Sequence, residues 1–116
     1  MIAPEIYMGL PKDVQRDYLL ASPEHTAMER IINIVYEYFD VDVSMTRSNE
    51  QKHYVCEVRQ VAMYLIRLKT FLGFKKIGQR FDRNHSTVIK SIERVYDLRY
   101  SDKRYKARIE ELMNLL

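Results

Sequence analysis

Ile77-Gly78-Gln79-Arg80-Phe81-Asp82-Arg83-Asn84-His85-Ser86-Thr87-Val88-Ile89-Lys90-Ser91 is the stretch whose reading decides the fold. Ile77 and Phe81 stand four apart on a short amphipathic helix, which the polar, turn-forming Asp82-Arg83-Asn84 interrupts. A helical period resumes at Val88, Ile92 and Val95. Gly78 leaves room for close approach by another helix, and Asn84 or Ser86 can cap the second helix. A short helix, a tight turn and a second helix with small polar residues at its start form a helix-turn-helix, which presents a recognition helix to the major groove of DNA.

Upstream of this stretch the spacing is helical as well. Pro11 followed by Lys12 to Ala21 predicts a first short helix, with Val14, Tyr18 and Ala21 on one side. Ser22-Pro23-Glu24 then starts a helix with a capping hydroxyl, a first-turn proline and an acid at the positive end of the dipole. Its apolar face is Met28, Ile31, Ile32, Val35, Tyr38 and Phe39. Val41-Asp42-Val43 and Thr46 to Glu50 break that pattern and predict a polar loop. A helix over Lys52 to Thr70 carries the stripe Val55, Val58, Ala62, Leu65 and Ile66, while Arg59, Arg67 and Lys69 point elsewhere.

Downstream, His85 to Tyr100 forms the second motif helix, and Ser101-Asp102 restarts the chain into a last helix. That helix turns Tyr105, Ile109, Leu112, Met113 and Leu116 inward. Most of the nine tyrosines fall on apolar stripes, where a core role is expected. The fold class is therefore all-α, a compact bundle of about five to six helices containing a helix-turn-helix. Residues 1–25 read as a leader with a short helix and residues 26–116 as the helix-turn-helix domain.

Length, charge and cysteine content limit the function classes. A chain of 116 residues suits one domain with a real core. The net charge of +3 hides a strong asymmetry. Residues 1–46 hold three basic and eight acidic side chains, and residues 47–116 hold sixteen basic and eight acidic ones. Minus five against plus eight places a polyanion site in the second part. The lone Cys56 excludes an internal disulfide and fits a reducing, cytoplasmic setting, and no apolar run nears the roughly 18 residues of a membrane span.

Catalysis finds little support. His25, His53 and His85 lack metal-site spacing, Cys56 has no base partner in sequence, and no Gly-x-x-x-x-Gly-Lys-Ser/Thr loop is present. Neither enzyme chemistry nor a cofactor is expected. The motif helix instead offers DNA-reading groups: Asn84 can pair two-fold with adenine, His85 can hydrogen-bond to base edges, and the Thr87 methyl can lie against that of thymine. Lys75, Lys76, Arg83, Lys90, Arg94 and Arg67 would supply salt-sensitive phosphate contacts.

Ile77-Gly78-x-x-Phe81-Asp82-Arg83-x-His85-Ser86-Thr87-Val88-Ile89-x-Ser91-x-x-Arg94-Val95 resembles the signature of the C-terminal DNA-binding domain of the bacterial replication initiator DnaA. Arg59-Gln60-x-Ala62-Met63-x-Leu65 is similar to the helix before that signature, and Ile34-Val35-x-x-Tyr38-Phe39 to the family's first core helix. The similarity spans about residues 27 to 115. It implies a Trp-repressor-like helical fold that binds short, asymmetric, A·T-rich duplex boxes as a monomer.

Carried over by position, the resemblance gives base contacts in the major groove to Asn84, His85, Ser86, Thr87 and Lys75. It gives backbone contacts to Gln60, Arg67 and Lys90. It also implies a basic loop, here Arg47, Gln51 and Lys52, in the adjacent minor groove. Gln51 stands where the family uses arginine, Glu57 where a basic residue is common, and Asn84 where aspartate is frequent. The turn is one residue shorter than in many relatives. The alternative to duplex binding is a protein-interaction module that keeps the fold, with a partner for the acidic leader.

Overall fold

Pro23, with its fixed φ, and Glu24 behind it open the first described helix, as the start signal predicts. The computed structural model describes residues 23–49 and 52–116. Its elements are α1 (Pro23–Tyr38), a 3-10 turn (Val43–Arg47), α2 (His53–Lys69), α3 (Phe74–Phe81), α4 (His85–Ser101) and α5 (Lys103–Leu115). No strand occurs among the described residues, and the fold is an all-α bundle. The helix expected over residues 12–21 and the cap at Ser22 lie outside the described residues. α1 begins at Pro23, so a boundary between residues 25 and 26 would fall within its first turn.

Two helix ends set the chain's path in the same way. Asp40 after α1 and Asp82 after α3 both take a left-handed conformation, each with φ 56°. Aspartate tolerates that region because its short polar side chain bonds locally. Behind Asp40, the Val41 N–H donates to the Tyr36 carbonyl at 2.9 Å. The expected polar loop then contains a 3-10 turn, started by Asp42, whose carboxylate accepts from the Ser44 N–H at 2.8 Å. The side-chain and backbone hydrogen bonds from Ser44 hold that carboxyl below the usual carboxylate range. The cap is therefore present at neutral pH and lost as pH falls through the lowered value.

α2 is the centre of the bundle and packs against α1, α3 and α4. From Val58 to Ile66 only Gln60 keeps appreciable exposure. The one-sided stripe expected for this helix is too narrow, because neighbours cover Val61, Met63 and Tyr64 on its other faces. Arg59 was expected to point outward. Instead it is 7% exposed, with Nη2 donating to the Cys56 sulfur at 3.4 Å.

The tyrosine expectation needs a similar correction. Only Tyr36, Tyr64 and Tyr105 are buried among the described tyrosines, while Tyr54, Tyr96 and Tyr100 are exposed. Tyr36, not Tyr38, enters the core from α1, because it falls four residues after Ile32 on the buried face. Tyr38 sits at the rim, where its hydroxyl donates to Glu111 at 2.7 Å. Burial pushes the Tyr36 phenol up to about 12, although the charges of Arg59, Arg80 and Arg83 pull it the other way. Three guanidinium groups therefore converge on the region where α1, α2 and the motif meet.

Candidate nucleic-acid interface

The motif turn is held by backbone, and this explains its residue types. α3 ends at Asp82 (φ 56°, ψ 47°), which lets the Arg83 N–H donate to the Gly78 carbonyl at 2.8 Å. A Cβ on Gly78 would stand 2.3 Å from the Arg83 carbonyl oxygen and 3.4 Å from Cγ2 of Val88. The close approach expected at Gly78 is thus made chiefly by the turn's own carbonyl, with α4 touching only through Val88. Phe81 and Ile77 pin α3 to the core, and both are fully buried.

Asn84 is the cap of α4. Its φ and ψ are −75° and 162°, and its Oδ1 accepts from the Thr87 N–H at 2.9 Å. That settles the choice between Asn84 and Ser86. The cap uses one of the two lone pairs of Oδ1 and leaves Nδ2 free of it. Asn84, His85 and Ser86 are exposed, Thr87 is half-buried, and the first turn of α4 contains no acid. Behind this tip, Ser91 Oγ donates to the Thr87 carbonyl at 2.8 Å.

Both motif helices expose cations. Ser86, Lys90 and Arg94 follow one another at four-residue steps along α4, and all three are exposed. Lys75 and Lys76 are exposed in the first turn of α3, whose N-cap, Gly73, has no side chain to cap it. Unpaired N–H groups and partial positive charge at such a helix start suit a phosphate. Arg67 is exposed and pre-set: its Nη1 donates to the Leu72 carbonyl at 2.9 Å, and its guanidinium lies 4.4 Å from the Phe74 ring centroid. Gln60 is half-buried on α2.

The loop residues divide. Arg47 is exposed at the end of the 3-10 turn and Lys52 is exposed just before α2, whereas Gln51 lies outside the described residues. Glu57 faces His53, 3.9 Å away; burial first, and the charge of Glu57 second, push the Tyr105 phenol up to about 12. Arg83 was expected at the phosphate backbone. Its guanidinium turns inward instead, to the carbonyls of Phe81 (3.2 Å), Asp82 (3.1 Å) and Ser48 (2.7 Å). Arg80, which the sequence reading did not single out, bonds Glu29 through Nε and Nη2 and Thr46 through Nη1.

Among the described residues there is no His/Cys/Asp/Glu cluster that could hold a metal ion, and no helix long and apolar enough to cross a membrane.

A short helix, a tight turn and a second helix with a capped, exposed start, carried on an all-α bundle, define a helix-turn-helix domain of the DNA-binding class. Residues 28–95 match the family described as the bacterial DnaA protein helix-turn-helix, and the chain belongs to that family. It is 25% identical over 115 residues to a chromosomal replication initiator protein DnaA of Campylobacter jejuni, covering 98% of this chain and 26% of that protein. A protein of the same name from a Geobacter species is 27% identical over 113 residues, covering 97% of this chain and 25% of the relative. The chain thus spans about a quarter of the length of the curated relatives it matches.

Proposed function

We propose that this domain binds double-stranded DNA with sequence preference, placing the start of α4 in the major groove of a short A·T-rich box. The exposed, acid-free tip of α4, on a motif whose two helices also expose Lys75, Lys76, Lys90 and Arg94, is the observation that carries the reading. Asn84, His85, Ser86, Thr87 and Lys75 would face bases. Gln60, Arg67, Lys76, Lys90 and Arg94 would grip phosphates, while Arg47, Gln51 and Lys52 would reach toward the minor groove. The domain would act as a monomer on an asymmetric site, in control of replication or transcription, without chemistry of its own and without a cofactor. Its relatives' name, chromosomal replication initiator, favours the replication role.

Arg83 is reassigned within this reading. Three carbonyls hold Nη1 and Nη2 of its guanidinium, which favours a role in shaping the interface over a phosphate contact. A second reading, an interaction module that keeps the fold, is favoured by the exposed aromatic side chains Phe71 and Tyr100, 94% and 71% exposed. A leader partner belongs to that reading.

Selection from a random duplex pool separates the two. The parent is expected to enrich a short motif. His85→Ala and Thr87→Ala should blur it by about 1–3 kcal/mol at individual base positions, with little change in nonspecific affinity. A pool that stays random for the parent would favour the interaction module.

A further inference from the structure

The 3-10 turn is tied to the motif on both sides of one residue. Thr46 is 3% exposed, and its Oγ1 accepts from Arg80 Nη1 at 2.8 Å. The Ser48 carbonyl accepts from Arg83 Nη2 at 2.7 Å. Arg47, between them, is exposed. The two donors come from different parts of the motif, Arg80 from the last turn of α3 and Arg83 from the turn into α4. Each is fixed at a second point: Arg80 by the Glu29 carboxylate on α1, Arg83 by the carbonyls of Phe81 and Asp82.

We propose that Arg80 and Arg83 are positioning residues that lock the segment carrying Arg47 onto the helix-turn-helix. The exposed cation of the loop and the tip of α4 then meet the duplex as one rigid unit. This rests on the duplex-binding reading above. The chemistry favours it over a phosphate role for either arginine. Planar guanidinium groups suit two or three fixed acceptors at once, and the loop acceptors here, Thr46 and Ser48, sit in sequence 34 and 35 residues away. A bond across that distance does nothing for local helix stability, but it fixes the loop relative to the motif. A loop ordered before binding does not have to be ordered during it, which strengthens the complex.

A double-mutant cycle with two companion variants tests this. Arg47→Ala is expected to weaken binding of the selected duplex about tenfold and lower the salt slope by about one. Arg83→Ala should weaken it to a similar extent, and the double variant should be no weaker than either single, since the misplaced loop has already lost its contact. Arg83→Lys should fail to restore binding, because an ammonium cannot reproduce the three-carbonyl fork. Restoration by lysine, or full additivity in the cycle, would overturn the proposal and return Arg83 to the phosphates.

A readout independent of DNA guards against loss of fold. In the free protein, Thr46→Val and Arg83→Ala should raise backbone mobility over residues 44–49 in nitrogen relaxation while α2 and α4 stay ordered. A segment as rigid as the parent's in both variants would refute the clamp even where duplex binding stands. Failure of the parent itself to bind any duplex would instead sink the reading the clamp serves, and its proposed purpose with it.

Discussion

Gly78→Ala is expected to lower the unfolding free energy by about 2–3 kcal/mol, measured by urea denaturation, and to remove sequence preference in the same step. One added methyl has this effect because of what it meets. The new carbon would lie 2.3 Å from the Arg83 carbonyl oxygen, which is backbone and cannot rotate away. Moving it disturbs the Arg83 N–H bond to the Gly78 carbonyl, the left-handed Asp82 and the approach to the Asn84 cap. Alanine's better helix propensity offsets only about 1 kcal/mol of this. Gly73→Ala is the control, since nothing lies within 4 Å of its Cβ position. There the expected cost is under about 1 kcal/mol, from loss of glycine as N-cap. Equal effects at the two glycines would show that the turn does not depend on close packing.

The double charge reversal Lys90→Glu with Arg94→Glu is expected to do the opposite, sparing the fold and disabling the surface. Both side chains are exposed on α4, away from the buried Val88, Ser91 and Val95. Stability should move by no more than about 1 kcal/mol, the usual range for two such surface substitutions. Duplex affinity should fall by about a hundredfold or more, because two charge-assisted phosphate contacts are each worth roughly 1.5–3 kcal/mol. The salt slope should drop by about two. Fluorescence anisotropy on a labelled duplex, with circular dichroism alongside, reads both effects. An unchanged affinity would move the duplex off this face of α4.

The two variants separate what was legible in the sequence from what was not. The motif was readable because its signals are local: Ile77 and Phe81 one helical turn apart, a polar turn, and a capping residue before Val88. The order of helices after residue 23 followed from the same short-range spacing. The centre of the bundle was less visible. A helix covered on several sides, as α2 is, buries Val61, Met63 and Tyr64 beyond any single stripe, and amphipathic periodicity fades there. Arg59 looked like a surface cation for the same reason.

The arginines of the motif escaped the sequence reading for a different reason. Arg83 in a polar turn looks like a phosphate contact, and Arg80 beside it looks like a solvated neighbour. Besides the local carbonyls of Phe81 and Asp82, their acceptors lie on Thr46, Ser48 and Glu29, in sequence 34 to 51 residues away. Only the packing of the 3-10 turn against both α1 and α3 brings them together. No spacing rule encodes such a pairing. Tyr38 likewise looks like part of the apolar face of α1, where the i+4 step from Ile32 puts Tyr36 instead.

Titrating the unmodified protein against a labelled A·T-rich duplex over a range of salt concentrations tests the central claim most directly. Cations at Arg67, Lys76, Lys90 and Arg94 facing phosphates, with Arg47, Lys52 and Lys75 placed in the grooves, predict a logarithmic slope of about −4 or steeper. A flat response, with binding absent at low salt or indifferent to it, would contradict the placement of α4 in duplex DNA.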